Sequence, residues 1–242
     1  MNEKKMTSLN RVNLYEQIAD YMEKLILDEK QEEWNEGSKL PPEQELADYF
    51  DVSRNVIREA IKSLKERGLV EPKNGVGVYV TKPDVQKLSS LIYRMVLMDD
   101  IDVKSIYDVR TMMETYTAGL AATVCSEEEL QHMRKLLSRM EDRSISINER
   151  RETDYAFHVA IAEATKNPLL LLMVSAMKDV FIAMIEKGIF VRGGIEDACK
   201  RHEKIMRSLE NHDADAAREA MQEHLEVSCQ SAHTYDNNSK NK

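Results

Sequence analysis

A mostly α-helical chain in two parts is what this sequence predicts: a small helical unit closed by a β-hairpin, then a larger all-helical bundle. Three observations carry that expectation. Helix-forming residues dominate, with only 8 Gly and 5 Pro among 242 residues, which leaves little room for sheet. Apolar residues recur at helical spacing up to residue 67 and again after 84. Asn74-Gly75, between two short apolar runs, is a strong hairpin signal. A hydrophobic content of 42% against 32% charge suits packed cores in a water-facing chain.

Taken in order, residues 13–30 place Leu14, Ile18, Met22, Leu25 and Ile26 on one helical face. A polar connector follows, with Trp34 as a lone anchor and Gly37 at a turn. Pro42 is tolerable at the first position of a short helix over 43–50. Asp51-Val52-Ser53 is a tight turn, Ser53 can cap the next helix over 54–67, and Gly68 ends it. The runs 69–71 and 76–80 then form the hairpin. Helix, helix, turn, helix, hairpin is the order of a winged helix-turn-helix, which assigns 1–82 to a DNA-binding unit.

Residues 83–102 read as a linker and a first helix over 85–98. The bundle proper, 103–232, is predicted from helices over 102–125, 127–142, 147–165, 168–189, 195–211 and 214–232. Ser126 with Glu129 forms a capping box, Asn167-Pro168 and Gly193-Gly194 are breaks, and Asp213 caps the last helix. The polar stretch 233–242 is expected to be a flexible tail.

Charge is unevenly spread. Between Ser53 and Lys82 stand seven basic residues (Arg54, Arg58, Lys62, Lys65, Arg67, Lys73, Lys82) and three acidic ones (Glu59, Glu66, Glu71), an excess of +4 in a chain of net charge −9. A local basic patch on an acidic protein is the footprint of one surface meeting phosphate. Advancing about 100° per residue from Arg54, Arg58, Lys62 and Lys65 fall within about 80° of it and Asn55 at about 100°. Val56, Ile57, Ala60, Ile61 and Leu64 occupy the opposite arc. A solvated face is the plainer reading of one basic helix, but the turn before it and the hairpin after it agree on a major-groove helix. Ser53 and Asn55 can add neutral hydrogen bonds, Lys62 and Lys65 suit backbone phosphates, and Lys73, Asn74 and Gly75 form a wing tip for the minor groove.

The stretch from Leu40 to Val80, LPPEQELADYFDVSRNVIREAIKSLKERGLVEPKNGVGVYV, resembles the DNA-binding signature of the GntR family of transcription regulators. That resemblance implies Arg54 and Arg58 as main groove contacts and Gly75 as the residue that lets the wing approach. The family usually carries an Arg where this chain has Gln44, which points to a different operator preference.

In the second part three of the six histidines stand out. Asp154 and His158 share a helix face at i,i+4, His202 precedes Ile205, Met206 and Leu209 on an apolar face, and His224 follows Ala217, Ala220 and Met221. His132, His212 and His233 sit in polar surroundings. A satisfied core histidine is the plainer reading of each alone, whereas three imidazoles and a carboxylate from three helices can build a divalent-metal site, for Zn, Ni, Mn or Fe. Residues 103–229 resemble the FCD domain, the helical effector domain of the fatty-acid-regulator branch of the GntR family. The carrying segments are VRTMMETYTAGLAA, DYAFHVAIAEATKNP and HEKIMRSLENHDADAAREAMQEHL. The resemblance implies that Asp154, His158, His202 and His224 hold the ion, that a small carboxylate effector completes its coordination, and that Arg110 lines the effector cavity. A salt bridge with Glu114 at i+4 is the alternative for Arg110, and for Met112, Met113, Met173, Met177 and Met184 an ordinary core lining is the plainer reading and a place in the cavity wall the alternative.

These expectations converge on a homodimeric repressor that binds a pseudo-palindromic operator in double-stranded DNA and responds to an organic acid. Two alternatives are a repressor for which the metal is the signal and a metal-dependent hydrolase. Against the second, His202-Glu203 is followed by Met206 where a zincin needs its second histidine ligand, and no inward general base or Ser/His/Asp arrangement is apparent. No apolar run approaches the roughly 18 residues of a membrane span, and the start MNEKKMTSLNR lacks the apolar core of a secretory signal. Cys125, Cys199 and Cys229 are odd in number and widely spaced. A cytoplasmic protein with reduced thiols is therefore expected.

Overall fold

The computed structural model describes residues 13–28, 30, 32–191 and 194–240. They form two compact units divided after Asp84.

The first unit begins with α1 (Leu14–Leu27), followed by a 3₁₀ turn at Glu32–Trp34, α2 (Glu43–Phe50) and α3 (Arg54–Glu66). Two antiparallel strands close it, β1 (Val70–Lys73) and β2 (Gly77–Val80), with Val70 opposite Val80 and Lys73 opposite Gly77. Asp51 takes a left-handed conformation (φ 51°) to end α2, and the Ser53 hydroxyl accepts from the Val56 N–H to start α3. The apolar arc of α3, Ile57, Ala60 and Leu64, is fully buried against Ile18, Ala19 and Met22 of α1 and Leu46 and Ala47 of α2. The connector before α2 is not loose. Lys39 bridges Tyr79, and hydrogen bonds Gly37 N–H to Val80, Leu40 N–H to Val78 and Val80 N–H to Ser38 lay residues 37–40 along the outer edge of β2. Gly77, facing Lys73 at the turn end of the hairpin, takes φ 140°, a conformation that L side chains rarely adopt.

The second unit is all-helical: α4 (Val85–Met98), α5 (Val103–Val124), α6 (Glu127–Glu141), α7 (Ile147–Ala164), α8 (Pro168–Ala176), α9 (Lys178–Ile189), α10 (Gly194–Glu210) and α11 (Ala214–Lys240). Their starts follow the local chemistry. Asp102, Ser126, Ser146 and Asn167 cap α5, α6, α7 and α8, with a full capping box at Ser126/Glu129, and Asp213 accepts from the Ala216 N–H at α11. The α5 and α11 helices pack along each other, and α7, α9 and α10 surround them. Phe157, Phe181, Met133, Leu137, Ile161, Ile205 and Met206 fill the centre.

Three boundaries differ from expectation. The single helix expected over 168–189 is two, bent by 61° at Met177. The backbone N–H that the bend releases at Asp179 is taken by the buried Ser89 hydroxyl at 2.8 Å, and Ser90 donates to the Asp179 carboxylate at 2.7 Å. Helix α4 thus stabilises the kink from outside. The segment expected as a flexible tail is helical to Lys240, tied down by a Lys187–Asp236 ion pair at 2.7 Å and by Phe190 against Tyr235. Gly194 opens α10 rather than preceding it. Gly193, residues 1–12 and the last two residues lie outside the described residues. No single helix among the described residues is long and apolar enough to cross a membrane, and the three cysteines are unpaired.

Candidate metal centre and nucleic-acid interface

Helical spacing turns Asp154 and His158 to the same side of α7, and α10 and α11 bring His202 and His224 to meet them. All four are buried. One ligand atom from each histidine lies within 4.8 Å of the others. The Nε2 atoms of His158 and His202 are 3.4 Å apart, and Asp154 Oδ1 lies 3.4 Å and 3.7 Å from them. Two imidazole nitrogens each about 2.1 Å from one ion at a tetrahedral angle stand about 3.4 Å apart, so the spacing fits a shared cation. Asp154 Oδ1 and the Nδ1 atoms of His202 and His224 are buried without a hydrogen-bond partner. Asp154 Oδ1 thus faces two imidazoles as an ion-pair neighbour without a well-formed hydrogen bond to either, a geometry that a shared cation would complete.

A neighbouring pair orients the set. Arg110 and Glu114 on α5 form a buried ion pair, Nε to Oε1 at 2.7 Å, and Glu114 Oε2 lies 2.5 Å from His158 Nδ1. A carboxylate at Nδ1 holds the proton there and turns Nε2 toward the centre. Burial alone would lower His158, but Glu114 and then Asp154 override it and raise the imidazole to about 9. Burial prevails at His202, which falls to about 4 although Asp154 opposes it. His224 is lowered well below the ordinary histidine range by burial and by the other two imidazoles. Burial would raise Glu114, yet Arg110 and His158 hold it down at about 2. The cluster thus carries two neutral imidazoles and one charged one.

For Arg110 both sequence readings have a counterpart. Its Nε is taken by Glu114, while a terminal nitrogen has no partner and the side chain is 1% exposed, sandwiched between Phe181 and Tyr107. It lines a cavity of about 40 Å³ together with Asp154, His224, Arg201, Ser228 and Gly188. Arg201 is a wall residue the sequence did not single out. Its Nε is unpartnered, and its only local signal is adjacency to His202. Of the methionines, Met184 lines this cavity and Met113 is in the core, whereas Met112 and Met173 are exposed.

On the first unit, Arg54, Asn55, Arg58, Lys62 and Lys65 are exposed along α3, and Lys73, Asn74 and Gly75 are exposed at the hairpin tip. Gly75 adopts φ 71° in the tight turn closed by Val76 N–H to Lys73 O, and Lys73 Nζ lies over the Tyr79 ring. The Ser53 hydroxyl oxygen is engaged as the helix cap. Glu43 was missed by sequence reasoning: its Oε2 accepts from Arg58 Nε at 2.8 Å and Arg54 at 3.4 Å, so one carboxylate from α2 gathers both arginines. Gln44 turns back to Asp48 on its own helix. Three further cations of the basic excess are paired, Lys62 with Glu59, Arg67 with Asp20 and Glu23, and Lys82 with Glu36.

Comparison with known proteins agrees with this layout. Residues 14–80 match the model of "bacterial regulatory proteins, gntR family", and residues 105–227 match the FCD domain. The HTH-type transcriptional regulator LutR of Bacillus subtilis is 30% identical over 81% of this chain and 92% of its own length. The Uxu operon transcriptional regulator of Escherichia coli is 29% identical over 88% of this chain and 84% of its own. The HTH-type transcriptional repressor NanR of an Enterobacter species is 27% identical over 97% and 91%. Among solved structures, Streptococcus agalactiae GntR superposes with a TM-score of 0.72 at 26% identity, over 90% of this chain and 100% of that one.

Proposed function

Because the chain belongs to the gntR family of bacterial regulatory proteins, with an FCD domain in its second half, we propose that it is a dimeric repressor released from its operator by a small organic acid bound beside a divalent cation. That it is a DNA-binding transcription regulator and not an enzyme follows from the family itself. The observation that carries the finer reading is the convergence of three buried imidazoles and an unpartnered carboxylate oxygen.

Asp154, His158, His202 and His224 would hold the cation. When bound, it supplies a Lewis-acid centre that accepts a carboxylate oxygen. Glu114 keeps the His158 proton on Nδ1. Arg110 and Arg201 line the adjoining cavity, and each guanidinium has a buried nitrogen without a partner, the kind of donor a carboxylate requires. On the output side, Arg54 and Arg58 would read the major groove, with Ser53 and Asn55 beside them. Lys62 and Lys65 would meet phosphates, and Lys73, Asn74 and Gly75 the minor groove. Repression is the behaviour named for the NanR relative. For the dimer, α5 (Val109, Met112, Tyr116) and α8 (Leu169, Leu172, Met173) each leave apolar residues exposed that a second copy could cover. The effector releases DNA only if it binds the DNA-bound and free arrangements with different affinity.

A second reading has its own support. A cavity of about 40 Å³ holds little more than a water or two, which favours the cation itself as the signal unless the walls open. Titration of DNA selected by the protein from a random pool separates the two. With metal held constant, an organic acid should weaken binding. If no acid does so while metal alone switches affinity, the cation is the signal. His202→Ala should lose the metal by elemental analysis, and full stoichiometric metal in that variant would overturn the site.

A further inference from the structure

We infer that a broad cavity between α6, α7 and α10 is a second ligand site, built for a small phosphate-bearing molecule and separate from the histidine cluster. The cavity measures about 940 Å³. No residue lines both it and the cavity beside the histidines.

Its charge is the opposite of the chain's. Five of the ten lining residues are basic and three acidic, in a protein whose net charge is −9. Two of those acids are already engaged: Glu196 accepts from Arg143 at 2.9 Å, and Glu203 from Arg207 at 2.8 Å and from Arg134. The same contacts engage Arg143 and Arg207, and Lys204 pairs with Glu223 outside the cavity, so among the lining bases Arg150 and Lys200 are the two without a carboxylate partner.

The decisive group is Arg150 in the first turn of α7. It is 7% exposed. One terminal nitrogen donates to the Asp142 carbonyl at 2.7 Å, and the other is buried with no hydrogen-bond partner. A desolvated guanidinium nitrogen without an acceptor is costly, and because Arg150 lines the cavity, a turn of its guanidinium would bring that nitrogen to an anion there. Lys200 stands exposed at the rim. A phosphate dianion has the charge and the oxygens to engage a buried guanidinium and a rim ammonium together, whereas one carboxylate is satisfied by a single guanidinium fork. Cys199, half-buried in the same wall, reports occupancy. The site also has a route to the histidines, since Arg150 precedes Asp154 by one turn of α7 and Cys199 precedes His202 by about one turn of α10.

The test uses the full chain with divalent cations removed by chelation, so that anions cannot bind through a metal. Failure of the metal reading therefore does not touch it. Inorganic phosphate, followed by calorimetry, should bind saturably at one site per chain and slow alkylation of Cys199 while leaving Cys125 unaffected. Acetate and succinate should bind far more weakly. Arg150→Met and Lys200→Ala should each weaken phosphate by about tenfold or more, the loss of one charge-assisted hydrogen bond. Lys200 is exposed, so its variant reports even if Arg150→Met disturbs the α6–α7 turn. Absence of saturable binding, equal binding of the carboxylates, unchanged affinity in the Lys200 variant, or phosphate binding only after metal is restored would each overturn the assignment.

Discussion

Binding of a divalent cation should expel close to one proton from the protein at about pH 7.5, and the number follows from five residues. In the cation-free cluster His158 titrates at about 9, held there by Glu114 and Asp154 against the pull of burial. It is therefore mostly charged at pH 7.5. His202, at about 4, and His224, lowered further, have no proton to lose there. A metal takes only the neutral imidazole, so one proton leaves His158 Nε2 while the Nδ1 proton stays toward Glu114. Below about pH 9 each unit of acidification should then weaken the metal about tenfold, or ~1.4 kcal/mol. Calorimetry in buffers of differing ionisation enthalpy measures the count directly. Glu114→Gln removes the main influence that raises His158, and the count should fall toward zero with a flatter pH profile. A native count near zero or near two, or one unchanged by Glu114→Gln, would refute the protonation pattern. A linked effect has a definite sign. In the cation-free protein a His158 value above its unfolded one gives stability that is full below about pH 6.5 and lost as pH rises through about 9.

Other perturbations have equally definite outcomes. Arg58→Ala should cost about 1–3 kcal/mol per half-site in operator affinity and leave the circular dichroism unchanged; undiminished binding in a gel-shift titration would remove Arg58 from the interface. Glu43→Gln frees Arg54 and Arg58 from their shared carboxylate, so affinity for random DNA should rise and the specific-to-random ratio should fall in competition assays. Met112→Glu places a charge on the exposed apolar face of α5, where Met112 is 67% exposed; light scattering should show a dimer becoming a monomer. Ser126→Ala removes the α6 capping box and should lower stability by about 1 kcal/mol in chemical denaturation.

Much of this was legible because it is written at helical period. The α3 face could be drawn from residue numbers alone, since Ile57, Ala60 and Leu64 leave no other side for the cations. Asp154 and His158 declare themselves by i,i+4 spacing, and the inward histidines of α10 and α11 by their apolar neighbours. What was not legible depends on partners distant in the chain. Nothing between Pro168 and Ile189 signals a bend, because the hydroxyl that satisfies the freed Asp179 N–H belongs to Ser89, some ninety residues earlier. The tail reads as polar, yet Asp236 and Tyr235 find Lys187 on α9 and Phe190 just beyond its end. Glu43 looked like an ordinary first-turn acid because its arginine partners lie 11 and 15 residues on.

The short segment from Gly37 to Leu40 has a mechanical consequence. It is stitched to β2 on one side and runs through Pro41 and Pro42 into α2 on the other. The hairpin and the helix pair therefore move as a single calliper whose jaws are α3 and the turn at Gly75. Such a tool spans one fixed stride along a duplex. Inserting a base pair between the stretch gripped by α3 and the stretch gripped by the hairpin should abolish recognition, even though every base contacted by either jaw is kept.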